Sequence, residues 1–392
     1  MGHTAAVIRP HIEPGRRVLA VSDIHGNLAF LKGVLKKAGF SRDDVLILVG
    51  DLLEKGRDSL ATLRYVMGLR EEYTVYPLCG NCDYIDRMFL EGQPVGNPAF
   101  SANNTLLQGG APDVDQELWP VLDVWRERST LFQMALEAGL PLPRRAGELP
   151  ALRAALLERF PREAAFLMGL PHILEAGNFI FVHGGVPRED RLEELDAYSC
   201  MKNDDFLGQG LSFQKWVVVG HWPVTLYNPH IQSAAPLICR ERHIVSIDGG
   251  CVLKVDGQLN ALIIPDINGD GMDFTAYDDL KQVTALDGQE ASGDPLNIRW
   301  SDSVVEPLEE RGDCVLARHP SSGRTLWLPR DFLVTRRDGR LHTEDATDYR
   351  LPVSPGDRLS VVRETRRGLL VKKDSVTGWY FGRAEPAPDP KN

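Results

Sequence analysis

The sequence contains no long hydrophobic run. No stretch of its 392 residues approaches the roughly 18 to 20 consecutive apolar residues that a membrane-spanning helix needs. The first residues, MGHTAAVIRPHIEPGRRV, also lack the charged start and apolar stretch of a secretion signal. We therefore expect a cytoplasmic protein with no membrane partner.

The sequence also has few cysteines and no excess of basic residues. Only six cysteines occur, and most sit in apolar segments where a small buried side chain fits, so a disulfide scaffold is not expected. The formal net charge is -11. Broad nucleic-acid binding depends on a basic surface that neutralises phosphates, and we do not expect it here.

The length and the local composition of the chain indicate two domains. Single cores stop growing at about 250 to 300 residues. The polar, Gly- and Pro-containing segment at 286–295 is typical of a linker. We predict a catalytic domain over residues 16–280, with a helical insertion at about 84–170, and a small all-β domain over 295–385. The insertion could be plain packing or a substrate-selecting lid, and the sequence leaves both open.

Short apolar runs alternate with helical patterns through the first ninety residues, and this order predicts parallel strands there, joined by right-handed crossovers. The strand pattern returns after the helical segment. The predicted strands are Val18 to Val21, Val45 to Val49, Val75 to Leu78, Phe179 to Val182, Val217 to Val219, Ile244 to Ile247 and Leu259 to Ile264.

Polar motifs directly follow five of these strands. They are SDIHGN, GDLLEKG, GNCD, HGG and GHW, in chain order. Loops at the carboxyl ends of strands form the active-site crevice of open α/β sheets, so we expect the motifs to converge. They supply carboxylates, an amide and imidazoles, which suit two divalent cations such as Mn²⁺, Fe or Zn²⁺.

The position of each residue suggests how the ions would be shared. Asp23 and His25 stand two apart after a strand, and side chains two apart in an extended segment point the same way. Both could therefore reach one ion. Asp51 is the natural bridging carboxylate, and Asn81 offers an amide oxygen to the second ion. The imidazoles that complete its shell are His183 and His221.

These five motifs resemble the calcineurin-like metallophosphoesterase superfamily. The stretch IDGGCVLKVDGQLNALII at 247–264 is similar to its bacterial phosphoprotein-phosphatase-type members, which include symmetrical dinucleoside tetraphosphatases. The resemblance covers residues 16–265. It implies a four-layer α/β/β/α sandwich and the same ligand set, with Asp23, His25 and Asp51 at the first metal and Asp51, Asn81, His183 and His221 at the second.

Four positions near the motifs bear on catalysis and substrate binding. The family commonly has a histidine general acid after the metal-binding asparagine, oriented by an aspartate; here these positions are Cys82 and Glu54. A thiol is a poor proton donor at neutral pH compared with an imidazolium. The usual phosphate-binding arginine is Lys55, with Arg57 close by. We expect Lys55, Arg57 and Asn81 to contact substrate.

Three functions follow from these residues. The first is a phosphoprotein-phosphatase-like hydrolase in which a metal-bridging hydroxide attacks phosphorus in line. The second is a phosphodiesterase or dinucleoside polyphosphate hydrolase, because Cys82 removes the usual acid. The third is a catalytically weak scaffold that acts through the C-terminal domain. That domain resembles bacterial Src-homology-3-like barrels around SPGDRLSVV and GWYFG, which implies a peptide or protein partner.

Overall fold

The computed structural model describes residues 3–93 and 113–387. The chain divides into two compact units. The first comprises Met1–Trp222, Pro236–Val252 and Leu259–Tyr277, and the second comprises Pro223–Ala235, Leu253–Gln258 and Asp278–Asn392. The second unit thus takes two segments from within the range predicted for the catalytic domain. The predicted bounds of 16–280 and 295–385 stay a prediction.

The α-helices of the described residues all lie in the first unit. None of them is long and apolar enough to cross a membrane. They are α1 Leu28–Lys37, α2 Ser59–Glu72, α3 Asn81–Glu91, α4 Val114–Trp125, α5 Thr130–Glu137, α6 Leu149–Arg159, α7 Pro161–Met168 and α8 Ala197–Met201.

Strands make up the rest of the regular structure. The first twelve are β1 Val7–Ile8, β2 Val18–Val21, β3 Val45–Val49, β4 Thr74–Leu78, β5 Ile173–Ala176, β6 Phe179–Val182, β7 Trp216–Val219, β8 Gln232–Ser233, β9 Leu237–Cys239, β10 Ile244–Ser246, β11 Leu259–Ile264 and β12 Asp273–Tyr277. The others are β13 Gln282–Ala285, β14 Asn297–Ile298, β15 Glu306–Arg311, β16 Cys314–His319, β17 Arg324–Pro329, β18 Leu333–Thr335, β19 Leu341–Thr343, β20 Ala346–Thr347, β21 Arg358–Thr365, β22 Gly368–Lys373, β23 Val376–Tyr380 and β24 Ala384–Pro386.

The first unit is built on two mixed sheets. The five-stranded sheet has the order β12-β11-β2-β3-β4, and β2, β3 and β4 run parallel. The six-stranded sheet has the order β1-β5-β6-β7-β10-β9, and β6, β7 and β10 run parallel. The mixed α/β fold predicted from the sequence is confirmed.

Side-chain alternation along β2 shows how the layers pack. Leu19 and Val21 lie in the core that α1, α2 and α3 share with one face of the five-stranded sheet. Val18 and Ala20 point the other way and join the core between the two sheets. Both faces are covered, which is why the strand is continuously apolar. These contacts account for three of the four expected layers, and the fourth stays a prediction.

Helices α4 to α7 form the described part of the predicted insertion. Leu118, Phe132 and Leu156 project from three of them and are fully buried in the same core as α1, α2 and α3. Residues 94–112 of the predicted insertion lie outside the described residues. The described helices therefore complete one face of the first unit.

The regular structure described in the second unit consists of β-strands and short 3-10 helices. The unit contains two cores of buried apolar residues. Its largest sheet has the order β24-β13-β21-β22-β23-β8, and β15, β16 and β17 form a three-stranded sheet. Pairing of the described strands ends at β24 and β8, so the closed Src-homology-3-like barrel expected from the sequence is not confirmed. The strand β13 lies between residues 280 and 295, where the boundary between the two domains was predicted.

We predict that the core between the two sheets contributes strongly to the stability of the first unit. Phe181 in β6 is fully buried there. Phe181→Ala should lower the free energy of unfolding by about 3–5 kcal/mol, because it removes buried apolar surface and leaves a cavity. Urea unfolding followed by tryptophan fluorescence would measure this change.

Leu136→Ala is the matched control for this substitution. Leu136 lies in α5 and is 50% exposed. Its truncation should change the free energy of unfolding by no more than about 0.5 kcal/mol. An equally small effect of Phe181→Ala would contradict the core described above.

Candidate metal centre

The six predicted metal ligands lie at the carboxyl ends of neighbouring strands. Asp23 and His25 follow β2, Asp51 follows β3, and Asn81 begins α3 after β4. From the other sheet, the ligands that follow β6 and β7 are His183 and His221. Parallel strands end at the same edge of a sheet, so the two sheets present all six residues to one region.

Asp51 stands at the centre of this region. Its Oδ1 lies 3.4 Å from His183 Nε2, and its Oδ2 lies 3.7 Å from His25 Nε2. The backbone N–H of Cys82 donates to Asp51 Oδ1 at 2.8 Å. One carboxylate thus faces a histidine from each sheet through different oxygens, as a bridging ligand must.

Asp23 and His221 meet on the other side of the centre. The backbone N–H of His221 donates to Asp23 Oδ2 at 3.0 Å, and Ser22 Oγ donates to the same oxygen. The rings of His183 and His221 lie 5.2 Å apart between centroids. His221 Nε2 lies 2.7 Å from Asp204 Oδ1, so this ring also has a carboxylate partner.

Four of the six predicted ligands share an uncommon backbone conformation. The φ angles of Asp23, His25, Asp51 and His221 are 56°, 49°, 47° and 66°, all in the left-handed region that non-glycine residues rarely adopt. The extended conformation expected for Asp23 and His25 is therefore wrong, because β2 ends at Val21. Both side chains still reach one place, with His25 Nε2 3.9 Å from Asp23 Oδ1.

Two glycines allow the loops to approach this closely. A Cβ atom on Gly80 would lie 2.0 Å from the backbone nitrogen of Asp51. A Cβ atom on Gly220 would lie 2.3 Å from Asp23 Oδ2. Both distances are shorter than van der Waals contact, so glycine is required where the GNCD and GHW motifs meet the other loops.

Asp83 holds two of the loops together. Its carboxylate accepts hydrogen bonds from the backbone N–H groups of Leu52 at 3.1 Å, Leu53 at 3.1 Å and Gly80 at 2.9 Å. These donors come from the loop after β3 and from the start of α3. The fourth residue of GNCD therefore fixes the positions of Asp51 and Asn81.

Four buried atoms of the predicted ligands lack hydrogen-bond partners among the described residues. They are Asp23 Oδ1, His25 Nε2, Asn81 Oδ1 and His183 Nε2. Buried polar atoms are nearly always satisfied, and an ion is one of the recognised explanations for an exception. All four atom types are ordinary ligands of divalent cations, so the residues present fit the group that the resemblance implies.

The histidine tautomers agree with this assignment. Nδ1 of His183 lies 2.9 Å from Val49 O, and Nδ1 of His25 lies 3.4 Å from Leu53 O. A backbone carbonyl can only accept, so each Nδ1 carries the proton. With a cation bound in the centre, Nε2 of each ring would be deprotonated and would present its lone pair to that cation, an arrangement that recurs around metal-binding histidines.

Ionisation in the centre is strongly perturbed. Burial raises the pKa of Asp23 to about 6, and burial and the Lys55 ammonium lower the pKa of His25 to about 3. Burial disfavours the charged form of His183, but the carboxylates of Asp51 and Asp23 outweigh it and raise its pKa to about 9. The carboxylates thus attract positive charge into a buried place, and a divalent cation would supply it.

Cys82 and Glu54 lie in different surroundings. The ligating atoms of Cys82, His25 and Asp51 come within 4.8 Å of one another, and burial raises the pKa of the Cys82 thiol well above its ordinary value. Glu54 instead accepts a hydrogen bond from the backbone N–H of Thr130, at 2.6 Å, at the start of α5. A catalytic part for Cys82 or Glu54 stays a prediction.

Lys55 and Arg57 border the centre from the loop after β3. Lys55 Nζ lies 4.0 Å from Asp51 Oδ2, and its side chain is 26% exposed. Arg57 is exposed and lines the same cavity as Lys55. Lys55 is therefore the predicted substrate-binding cation that reaches closest to the ligands.

Asp248 is a residue of the centre that the sequence reading missed. It follows β10 in the motif IDGG, is fully buried, and has an Oδ2 atom without a hydrogen-bond partner among the described residues. Burial and the neighbouring Asp23 carboxylate raise its pKa well above its ordinary value. Its place after a strand of the same sheet as β6 and β7 is the signal that could have found it.

Comparison with known proteins agrees with this geometry. Residues 16–246 match the calcineurin-like phosphoesterase family. Two relatives are symmetrical bis(5'-nucleosyl)-tetraphosphatases. The one from Hamiltonella defensa is 33% identical over 29% of this chain and 38% of its own length. The one from Shewanella loihica is 36% identical over 31% of this chain and 43% of its own length. The chain thus matches less than half the length of these relatives.

Two solved structures are similar to the chain at lower identity. A candidate diadenosine tetraphosphatase is 19% identical, with a TM-score of 0.42 over 70% of this chain and 99% of that one. A protein serine/threonine phosphatase from Saccharomyces cerevisiae is 9% identical, with a TM-score of 0.40 over 71% of this chain and 85% of that one. The family match covers more than half of the sequence and contains all six predicted ligands. The chain belongs to the calcineurin-like phosphoesterase family.

Proposed function

We propose that the chain is a two-metal-dependent phosphoester hydrolase of the phosphoprotein-phosphatase type. The observation that supports this most is the set of unpartnered, buried ligand atoms around the Asp51 carboxylate. Bound divalent cations would supply an activated water and neutralise charge on the phosphoryl oxygens. The water would attack phosphorus in line, and no covalent intermediate with the protein is needed.

The side chains of the centre divide the work. Asp23 and His25 would hold one ion, and Asn81, His183 and His221 would hold the other, with Asp51 shared. Lys55 would steady the phosphoryl oxygens as a point charge, because its ammonium lies beside Asp51 and is partly exposed. Mn²⁺, Fe and Zn²⁺ all suit this mixture of imidazole and carboxylate ligands.

A phosphodiesterase or dinucleoside polyphosphate hydrolase is the second candidate. The Cys82 thiol stands where the family commonly has a histidine acid, and burial keeps that thiol neutral. A leaving group that is already a stable anion, such as a nucleotide phosphate, needs little help from an acid. The names of the relatives from Hamiltonella defensa and Shewanella loihica favour the same substrate class.

For the second unit, we propose the Src-homology-3-like architecture and a peptide or protein partner. The support is its all-β sheet content and its motif likeness. A cytoplasmic location stays a prediction.

A substrate panel tests the two candidates against each other. Purified protein with Mn²⁺ would be assayed on an aryl phosphomonoester, an aryl phosphodiester, a phosphopeptide and diadenosine tetraphosphate. Preference for the phosphopeptide would support the first candidate, and preference for the diester or the dinucleotide would support the second. No turnover of any of them, with metal occupancy confirmed, would overturn both.

We predict that Asp51→Asn abolishes most of the activity. An amide lacks the charge needed to bridge two cations, so kcat should fall by at least about a hundredfold. Elemental analysis of the purified variant should show fewer than the two metal ions per chain expected of the unaltered protein. Asp43→Asn is the control, since Asp43 is exposed and outside the ligand set; full activity and two bound ions in Asp51→Asn would contradict the assignment.

We predict that Cys82→His changes the dependence on the leaving group. A new imidazole beside the centre would supply the missing proton donor, so hydrolysis of an alkyl phosphate should rise relative to an aryl phosphate, by about tenfold or more. The measurement is the ratio of kcat/KM for the two substrates. Cys82→Ser serves as control, because a hydroxyl is no better an acid, and an unchanged ratio in Cys82→His would contradict this interpretation of Cys82.

A further inference from the structure

A basic cavity of about 380 Å³ adjoins the metal centre within the first unit. Lys55 and Arg57 line it from the loop after β3, and Arg128 lines it from the turn between α4 and α5. Asp58 contributes its one carboxylate, so the lining charge is positive. The chain as a whole has a formal net charge of -11, so the charge of this lining is opposite in sign to that of the molecule.

The guanidinium groups of Arg57 and Arg128 are available to bind an anion. Neither the Arg57 nor the Arg128 guanidinium forms an ion pair within residues 3–93 and 113–387. Arg128 Nη2 makes one long hydrogen bond to Val124 O, at 3.4 Å, which leaves its other donors available. By contrast, the neighbouring Arg126 pairs with Asp123 at 3.2 Å. The cavity therefore faces unneutralised cations.

The walls of the cavity are tied together by hydrogen bonds. Gln133 Nε2 donates to Arg57 O at 3.1 Å and to Glu127 O at 2.9 Å, so one side chain joins both walls. Ser59 Oγ donates to Arg128 O at 3.3 Å. Because the backbones that present Arg57 and Arg128 are fixed in this way, little ordering is needed when an anion binds.

The cavity borders the predicted metal centre. Lys55 lines the cavity, and its Nζ is also 4.0 Å from Asp51 Oδ2 in the centre. Gly26, another lining residue, directly follows the predicted ligand His25. Because Lys55 belongs to both places, one substrate molecule with two linked phosphates can contact both.

We infer that Arg57 and Arg128 form a second anion subsite, which takes a phosphate linked through an anhydride to the phosphate being hydrolysed. Guanidinium groups suit this ligand because they bind phosphate oxygens in pairs. The inference rests on the second candidate of the proposed function, a dinucleoside polyphosphate hydrolase, and narrows the substrate class to molecules that carry a polyphosphate chain. Arg128, supplied by the helical insertion, is thereby a residue that determines specificity.

A specificity ratio tests this subsite. The ratio is kcat/KM for diadenosine tetraphosphate divided by kcat/KM for 4-nitrophenyl phosphate, both measured with Mn²⁺. Arg128→Gln should lower the ratio by about ten- to a hundredfold, the effect of losing hydrogen bonds to a charged group. Arg128→Lys should restore part of it, because a lysine keeps the charge without the paired donors.

Arg145→Gln is the matched control for Arg128→Gln. Arg145 belongs to the same helical insertion, and its side chain is 82% exposed and does not line the cavity. This variant should leave the ratio unchanged, and a common fall in both variants would overturn the assignment. Equal ratios in Arg128→Gln and the unaltered protein, to within twofold, would also overturn it.

A binding measurement separates failure of the subsite from failure of the proposed function. Calorimetric titration with inorganic tripolyphosphate needs no turnover. Weaker binding to Arg128→Gln than to the unaltered protein, in a chain that hydrolyses neither substrate, would overturn the proposed function and support the subsite. Equal binding to both, in an active enzyme, would overturn the subsite and leave the proposed function standing.

Discussion

The burial of ionisable groups between two packed sheets is the constraint on which the first, catalytic unit depends. Asp23, Asp51, His25 and His183 are at most 2% exposed and lie at the ends of strands that are otherwise apolar. An uncompensated buried charge costs several kcal/mol, so such a cluster persists only with partners of opposite charge. The unpartnered oxygen and nitrogen atoms face one another, and cations between them would satisfy all of them at once.

The backbone of the catalytic unit is shaped to serve this cluster. Left-handed conformations at Asp23, His25, Asp51 and His221 cost roughly 1–3 kcal/mol each, and they persist because the surroundings leave no alternative. The carboxylate of Asp83 contributes three of the restraining hydrogen bonds. Burial of apolar side chains on either side of the five-stranded sheet offsets the free-energy cost of this strain. The strained conformations are confined to the loops that hold the predicted ligands.

Much of the catalytic unit could be predicted from the sequence. The strands β2, β3 and β6 agree with the predicted runs, because a strand covered on both faces is continuously apolar and therefore easy to recognise. A functional part for the helical insertion could not be predicted from the sequence. Helical spacing predicts buried helices, but it cannot show that the turn carrying Arg128 meets the loop after β3. The strand order of the second unit depends on pairing between distant segments, and short strands leave many pairings open.

The interleaving of the two units has a consequence for the handling of the chain. The strand β8 pairs with β23, and Asp256 accepts hydrogen bonds from Lys372 and Thr377, so segments embedded in the sequence of the catalytic unit complete the second unit. A single cut after residue 278 would therefore remove β8 and Asp256 from the second unit and leave them without their partners in the first product. The C-terminal part is thus not a separable module, because its unit is complete only together with Pro223–Ala235 and Leu253–Gln258.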